Sequence, residues 1–145
     1  MTRKRTNYKP KSFESRGEKY IDPNGKTRTD TSANIFESML TSNAFTELTF
    51  KQQVLYIYCK AQYYGKRKPS KDYPNVSDVQ SPECFYFNWA TAQKYKLYPV
   101  GSSKNFYNDM TALIEHGLIE RIASGAAHRT KTIYRFSSEW QLWKK

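Results

Sequence analysis

Lys104, Asn108, Thr111 and Glu115 share one side of a helix when turned at about 100° per residue, with Asn105 on the flank and Tyr107 near the boundary. Their chemistry is that of reading base edges. Lysine donates to guanine O6 and N7, asparagine bonds adenine through two atoms, and a threonine methyl meets the thymine methyl. The opposite side carries Phe106, Met110, Leu113 and Ile114, spaced i, i+4, i+7 and i+8, and must pack inward. Ser102 or Ser103 serves as the N-terminal cap, the helix reaches about His116, and Gly117 stands where a terminating glycine belongs. The unbonded N–H groups of such a start favour a phosphate. A polar outer face also suits a helix that is merely solvated, so the surrounding elements must decide between the two.

Bond-making chemistry finds little support. Metal-assisted cleavage needs clustered carboxylates or histidines, or a tyrosine nucleophile beside a histidine pair. Asp109 and Glu115 are six residues apart at different angles, and His116 and His128 complete no ligand set. Cys59 and Cys84 share no metal-binding spacing and read as reduced core thiols. No phosphate-binding G-x-x-x-x-G-K-[ST] run is present. The expectation is a protein without catalytic residues, metal or cofactor.

The elements around the helix place it. Cys84 to Asn88 is a short aromatic strand, and Trp89 to Tyr95 a short helix. The stretch 97–101 breaks that helix with Pro99 and Gly101 before the polar-faced helix begins. Helix, turn, capped helix is the helix-turn-helix order. Two β-rich runs follow, Leu118–Ile122 and Thr132–Phe136, joined by 124–130 as a hairpin with a flexible tip. Such a hairpin is a wing, and His128, Arg129 and Lys131 near its tip are set to meet phosphate or minor groove together with Tyr107.

Upstream, Ser32 or Asn34 caps a short helix carrying Ile35, Phe36, Met39 and Leu40. Thr49 to Gln52 fits a capping box opening a helix to about Tyr64, with Phe50, Val54, Ile57, Tyr58 and Ala61 on its inward stripe and Gly65 ending it. The segment 65–83 reads as a long loop. Residues 1–30 are basic and poor in apolar side chains, so they read as a disordered or loosely attached arm, with Arg3, Lys4 and Arg5 as its first DNA contacts. The expected architecture is α+β: one winged helix-turn-helix domain over 31–145, with extra N-terminal helices and the basic arm.

Bulk composition points the same way. Lys and Arg number 24 against 13 acids, a net +11 that suits a polyanion, because neutralising phosphates releases condensed counterions. No apolar run approaches the roughly 18 residues of a membrane span, and no apolar leader follows the charged start, so a cytoplasmic protein without membrane attachment is expected. Aromatic residues make up 16% of the chain, so Phe, Tyr and Trp must build much of the core. Phe85 and Phe87 are expected inward, which weighs against single-strand binding by stacked bases.

The run from Ser103 to Glu120, with its "Phe-Tyr…Leu-Ile-x-x-Gly-Leu-Ile" pattern, and the later Ile133-Tyr134-Arg135-Phe136-Ser137 and Trp140 resemble winged-helix proteins of plasmids, phages and integrative conjugative elements of Gram-positive bacteria. The stretch from Ile35 to Tyr58 is similar to the helical segment preceding the winged helix in replication initiators of that group. The resemblance implies binding of double-stranded DNA at origin-type or repeat sequences in support of replication or conjugative transfer. Relaxase or replication proteins are then expected partners, and a homodimer or tandem binding follows from the short site one winged helix reads. Transcriptional repression through the same contacts is the alternative. A protein–protein module, with Trp140 and Trp143 as an adhesive end, is a further one.

Overall fold

A computed structural model describes residues 19–29, 32–64, 68–123 and 131–145, and the chain divides into two units between Thr31 and Ser32. Within the first unit, β1 (Lys19–Ile21) pairs antiparallel with β2 (Thr27–Thr29), with Tyr20 opposite Arg28. Asp22 accepts at one carboxylate oxygen from the Asn24 and Lys26 amides, and Gly25 takes φ +80°, which a glycine adopts without steric cost. The Arg28 guanidinium beside Asp22, aided by those amides, holds its carboxyl below the usual range. Of the arm expected to be disordered or loosely attached over 1–30, residues 19–29 form this hairpin through local turn chemistry. Arg3, Lys4 and Arg5 lie outside the described residues.

The second unit is mixed α and β. Its helices are α1 (Glu37–Leu40), α2 (Asn43–Thr46), α3 (Phe50–Ala61), α4 (Pro69–Asp72), α5 (Trp89–Lys94) and α6 (Ser103–Glu115). Its strands β3 (Cys84–Tyr86), β4 (Ile119–Ala123) and β5 (Ile133–Phe136) form an antiparallel sheet in the order β3-β5-β4. The register sets Phe85 opposite Tyr134, and Ile119 opposite Phe136. Since strand side chains alternate, Phe85, Tyr134, Phe136 and Ile119 share the face that joins the main core, while Cys84, Tyr86 and Ile133 face the other way.

The main core is aromatic. Phe85 and Phe136 stack at 4.3 Å between centroids, Tyr56 meets Phe136 edge-on, and Phe106 is ringed by Phe87, Trp89 and Tyr98. Burial of such rings supplies area at two rotatable bonds each, with further gain from edge and offset contacts. Phe85 and Phe87 are both buried, so neither offers a face to a base. Cys59 and Cys84 are buried free thiols whose pKa values burial pushes up, which leaves neither poised as a nucleophile.

Three local expectations are corrected. First, α1 begins only at Glu37, with Phe36 as an N-cap lacking a side-chain bond; Ile35 and Phe36 precede the helix, and Phe36 and Leu40 are exposed. Second, the capping box on α3 forms as expected, Thr49 Oγ1 accepting from Gln52 N and Gln52 Oε1 accepting from Thr49 N. Yet the helix turns its other side inward. Leu55, Tyr56 and Cys59 are buried, whereas Phe50, Val54 and Ile57 face solvent. Both sides of α3 are apolar, and its contacts with α6 choose between them: Gln52 Nε2 donates to Asp109 Oδ1 at 3.1 Å.

Third, the stretch 65–83 is not featureless. Residues 65–67 lie outside the described residues, but α4 starts with Pro69 at its first position, where a missing N–H costs nothing. A 3-10 turn at Ser77–Val79 follows. Val79 and Tyr73 cover the second face of the sheet beside Cys84, Tyr86 and Ile133, and Tyr86 Oη donates to Asp72 at 2.8 Å. Lys68 Nζ donates to the carbonyls of Gln62 and Pro82, fastening this cover to the end of α3; burial lowers its pKa to about 8.

Candidate nucleic-acid interface

α5 and α6 are joined by a tight connection whose geometry follows from its residues. Asn88 caps α5, its Oδ1 accepting from Thr91 N at 2.9 Å. At the far end Lys96 takes φ +57° and the Leu97 amide returns to the Ala92 carbonyl. Leu97 and Tyr98 then bury, Gly101 takes φ +90°, and Ser102 opens α6 without a side-chain cap bond. The expected hydroxyl cap is therefore not made: Ser102 holds the cap position without bonding through its side chain, and Ser103 is the first helical residue.

Asp109 locks α6 in place. Its two carboxylate oxygens accept from Tyr98 Oη at 2.7 Å and from Gln52 Nε2 at 3.1 Å, tying α6 to the turn and to α3. Lys51 Nζ donates to the Leu97 carbonyl at 2.6 Å and lies 5.1 Å over the Tyr98 ring. Burial, reinforced by the bond to Asp109, pushes the Tyr98 phenol well above its usual pKa, so it remains a donor at any physiological pH.

With α6 held this way, Phe106, Met110 and Leu113 bury, and Lys104, Asn105, Tyr107, Asn108, Thr111 and Glu115 are exposed together. Thr111 Oγ1 donates to the Tyr107 carbonyl at 2.9 Å, so its methyl remains for outside contact. Asn105, Asn108 and Ser102 border a cleft of about 410 Å³ shared with Lys51, Tyr98 and Pro99. Lys104, Asn105, Asn108 and Thr111 thus come onto one surface. Lys131 is exposed but sits 5.8 Å from the Tyr86 ring centroid, beside a core residue of the sheet's second face. His128 and Arg129 lie outside the described residues.

One cation escaped the sequence reading. Arg121 of β4 is exposed, opposite Tyr134 in the register, and it opposes the upward shift that burial imposes on the Tyr134 phenol. Tyr107 of α6 bears on the same phenol. Lys94 and Lys96, exposed at the end of α5, add charge near the turn. α6 itself carries one lysine, Lys104, against Asp109 and Glu115, so its own charge is not positive.

Among the described residues no cluster of His, Cys, Asp or Glu is able to hold a metal ion, and no helix is long and apolar enough to cross a membrane. No protein-family model, curated protein or solved structure matches the chain.

Proposed function

We propose that residues 32–145 are a winged helix-turn-helix domain that binds double-stranded DNA, with α6 in the major groove. One observation carries the reading: α5, a tight turn and α6 lie between β3 and β4, in a sheet ordered β3-β5-β4, with the uncommitted polar face of α6 outward. Topology and surface chemistry are independent, and both suit the same docking geometry.

In this reading Lys104, Asn105, Asn108 and Thr111 face base edges. Tyr107, Arg121 and the cations of the β4–β5 hairpin hold phosphates, a sequence-independent role that fixes register. The net charge of +11 supplies the long-range attraction. Docking requires no catalytic group, and a non-enzymatic protein acting in the cytoplasm, without membrane attachment, follows from the proposal. The resemblance to winged-helix proteins of mobile elements extends it to origin-type or repeat sequences that serve replication or conjugative transfer. A transcriptional repressor would use the same contacts on a promoter.

Selection from a randomised duplex pool tests the reading, followed by footprinting of the enriched sequence. Enrichment of a defined site, with affinity falling steeply as salt rises, is expected. Footprints in the element's origin or transfer region rather than its promoters would place the role. No enrichment, or equal affinity for single strands, would overturn the proposal.

A further inference from the structure

A second cleft, of about 590 Å³, is lined from α1, α3, β5 and the turn that follows β5. Its volume lies within the roughly 300–1,000 Å³ of small-molecule sites. Met39, Phe136 and Trp140 give it apolar walls.

Two donors of α3 are left open there. Tyr56 is only 1% exposed, and burial raises the pKa of its phenol, so the hydroxyl keeps its proton. Among the described residues that hydroxyl makes no hydrogen bond, and no fully buried polar side-chain atom lacks a partner. The hydroxyl is therefore the part of Tyr56 that solvent still reaches, in the cleft the residue lines. One turn further along the same side of α3, Lys60 is half-buried with its ammonium 4.5 Å from the Phe136 ring centroid. It too makes no hydrogen bond or ion pair among the described residues. Lys68, also half-buried, shows the usual remedy, since its ammonium donates to two carbonyls. Burial lowers the Lys60 pKa, and the exposed carboxylate of Glu83 opposes that shift, acting on the ammonium without bonding it.

We propose that this cleft binds an α-amino acid with an apolar side chain, its carboxylate held by Tyr56 and Lys60 and its ammonium by Glu83. Charge selects the zwitterion. The lining carries two cations, Lys60 and Arg135, against three acids, Glu83, Glu120 and Glu139. Arg135 and Glu120 pair with each other, which leaves one cation against two carboxylates. A simple carboxylate would satisfy Lys60 but meet the acids uncompensated. A simple amine would leave the buried phenol and the poorly solvated ammonium without an acceptor, a costly state for either group. A ligand with both charges on neighbouring atoms satisfies both sides, and its side chain has Met39, Phe136 and Trp140 to cover.

Binding of this ligand requires no DNA, and the test contains none. Calorimetric titration of the full chain with leucine and with phenylalanine should show saturable binding at one site. Phenylpropionate, which lacks the ammonium, and phenethylamine, which lacks the carboxylate, should bind about tenfold more weakly than phenylalanine or worse. Tyr56→Phe and Lys60→Met keep the ring and the stem, and each should weaken phenylalanine binding about tenfold or more while the circular-dichroism spectrum persists. Glu83→Gln should bring phenylalanine down to the affinity of phenylpropionate. Absence of binding by either amino acid up to about 10 mM, beyond the millimolar end of the affinity scale, would overturn the proposal. So would phenylpropionate or phenethylamine binding as tightly as phenylalanine to the wild-type chain, or full affinity in folded Tyr56→Phe or Lys60→Met.

Discussion

Gly117→Ala should destabilise the second unit by about 3 kcal/mol, and the structure supplies each part of that figure. Gly117 follows α6 at φ +77°, where its amide returns to the Ile114 carbonyl and the Leu118 amide to that of Leu113. A side chain at this φ costs about 1 kcal/mol. The added Cβ would stand 2.7 Å from Trp140 N and 2.8 Å from Glu139 C, backbone atoms that must move because real Cβ contacts essentially never fall under 3.0 Å. Moving them breaks the bond from the Trp140 amide to the Gly117 carbonyl, now 3.0 Å, for about another 1 kcal/mol. It also lifts the Trp140 ring from the core edge, for roughly 1 kcal/mol more.

Gly101→Ala is the matched control. Gly101 has φ +90° but nothing within 4 Å of the site of its Cβ, so only the backbone cost of about 1 kcal/mol applies. Urea unfolding followed by tryptophan fluorescence would report both variants, since Trp140 and Trp143 lie at the affected turn. A gap of about 2 kcal/mol between them is expected. Equal destabilisation within about 0.5 kcal/mol would refute the close approach as a cause.

Asp109→Ala strands the buried Tyr98 hydroxyl and the Gln52 amide. It should cost about 1–3 kcal/mol in the same unfolding assay, and Asp109→Asn distinctly less because one acceptor survives. Stability should respond to alkaline pH in two phases. Lys68, depressed to about 8, disfavours its own charge in the folded state, so its burial cost is relieved as pH climbs from about 8 to about 10.4. Above about 10 the unfolded chain ionises tyrosines that folding keeps protonated, Tyr56 and Tyr98 foremost, and stability falls. A urea midpoint that does not drop above about pH 10.5 would contradict the assignment. Arg121→Ala should weaken all duplexes alike and reduce the salt slope by about one phosphate equivalent; an unchanged slope in salt titrations would remove Arg121 from the interface.

The parts of the fold that were legible in the sequence share a physical trait. α6 has one apolar and one polar side, so its wheel has a single solution, and the residues expected to face outward do so. α3 is apolar on both sides, and periodicity cannot choose between two stripes when hydrogen bonds from a neighbouring helix decide. The β1–β2 hairpin was readable from Asp22-Pro23-Asn24-Gly25 between two short β-prone runs; its sparse apolar content hid it. Among the described residues of the 65–83 stretch, Val79 and Tyr73 pack on the second face of the sheet, too few to impose a period. Arg121 was overlooked because charge was sought at the hairpin tip rather than along β4.

Whether the outward face of α6 reads duplex DNA is tested most directly by Asn108→Ala. Affinities of wild type and variant would be measured on the selected duplex and on each of its single-base substitutions. Discrimination should fall by about 1–3 kcal/mol at one base pair and be preserved elsewhere. A folded variant with the wild-type preference at every position would contradict base reading by this helix.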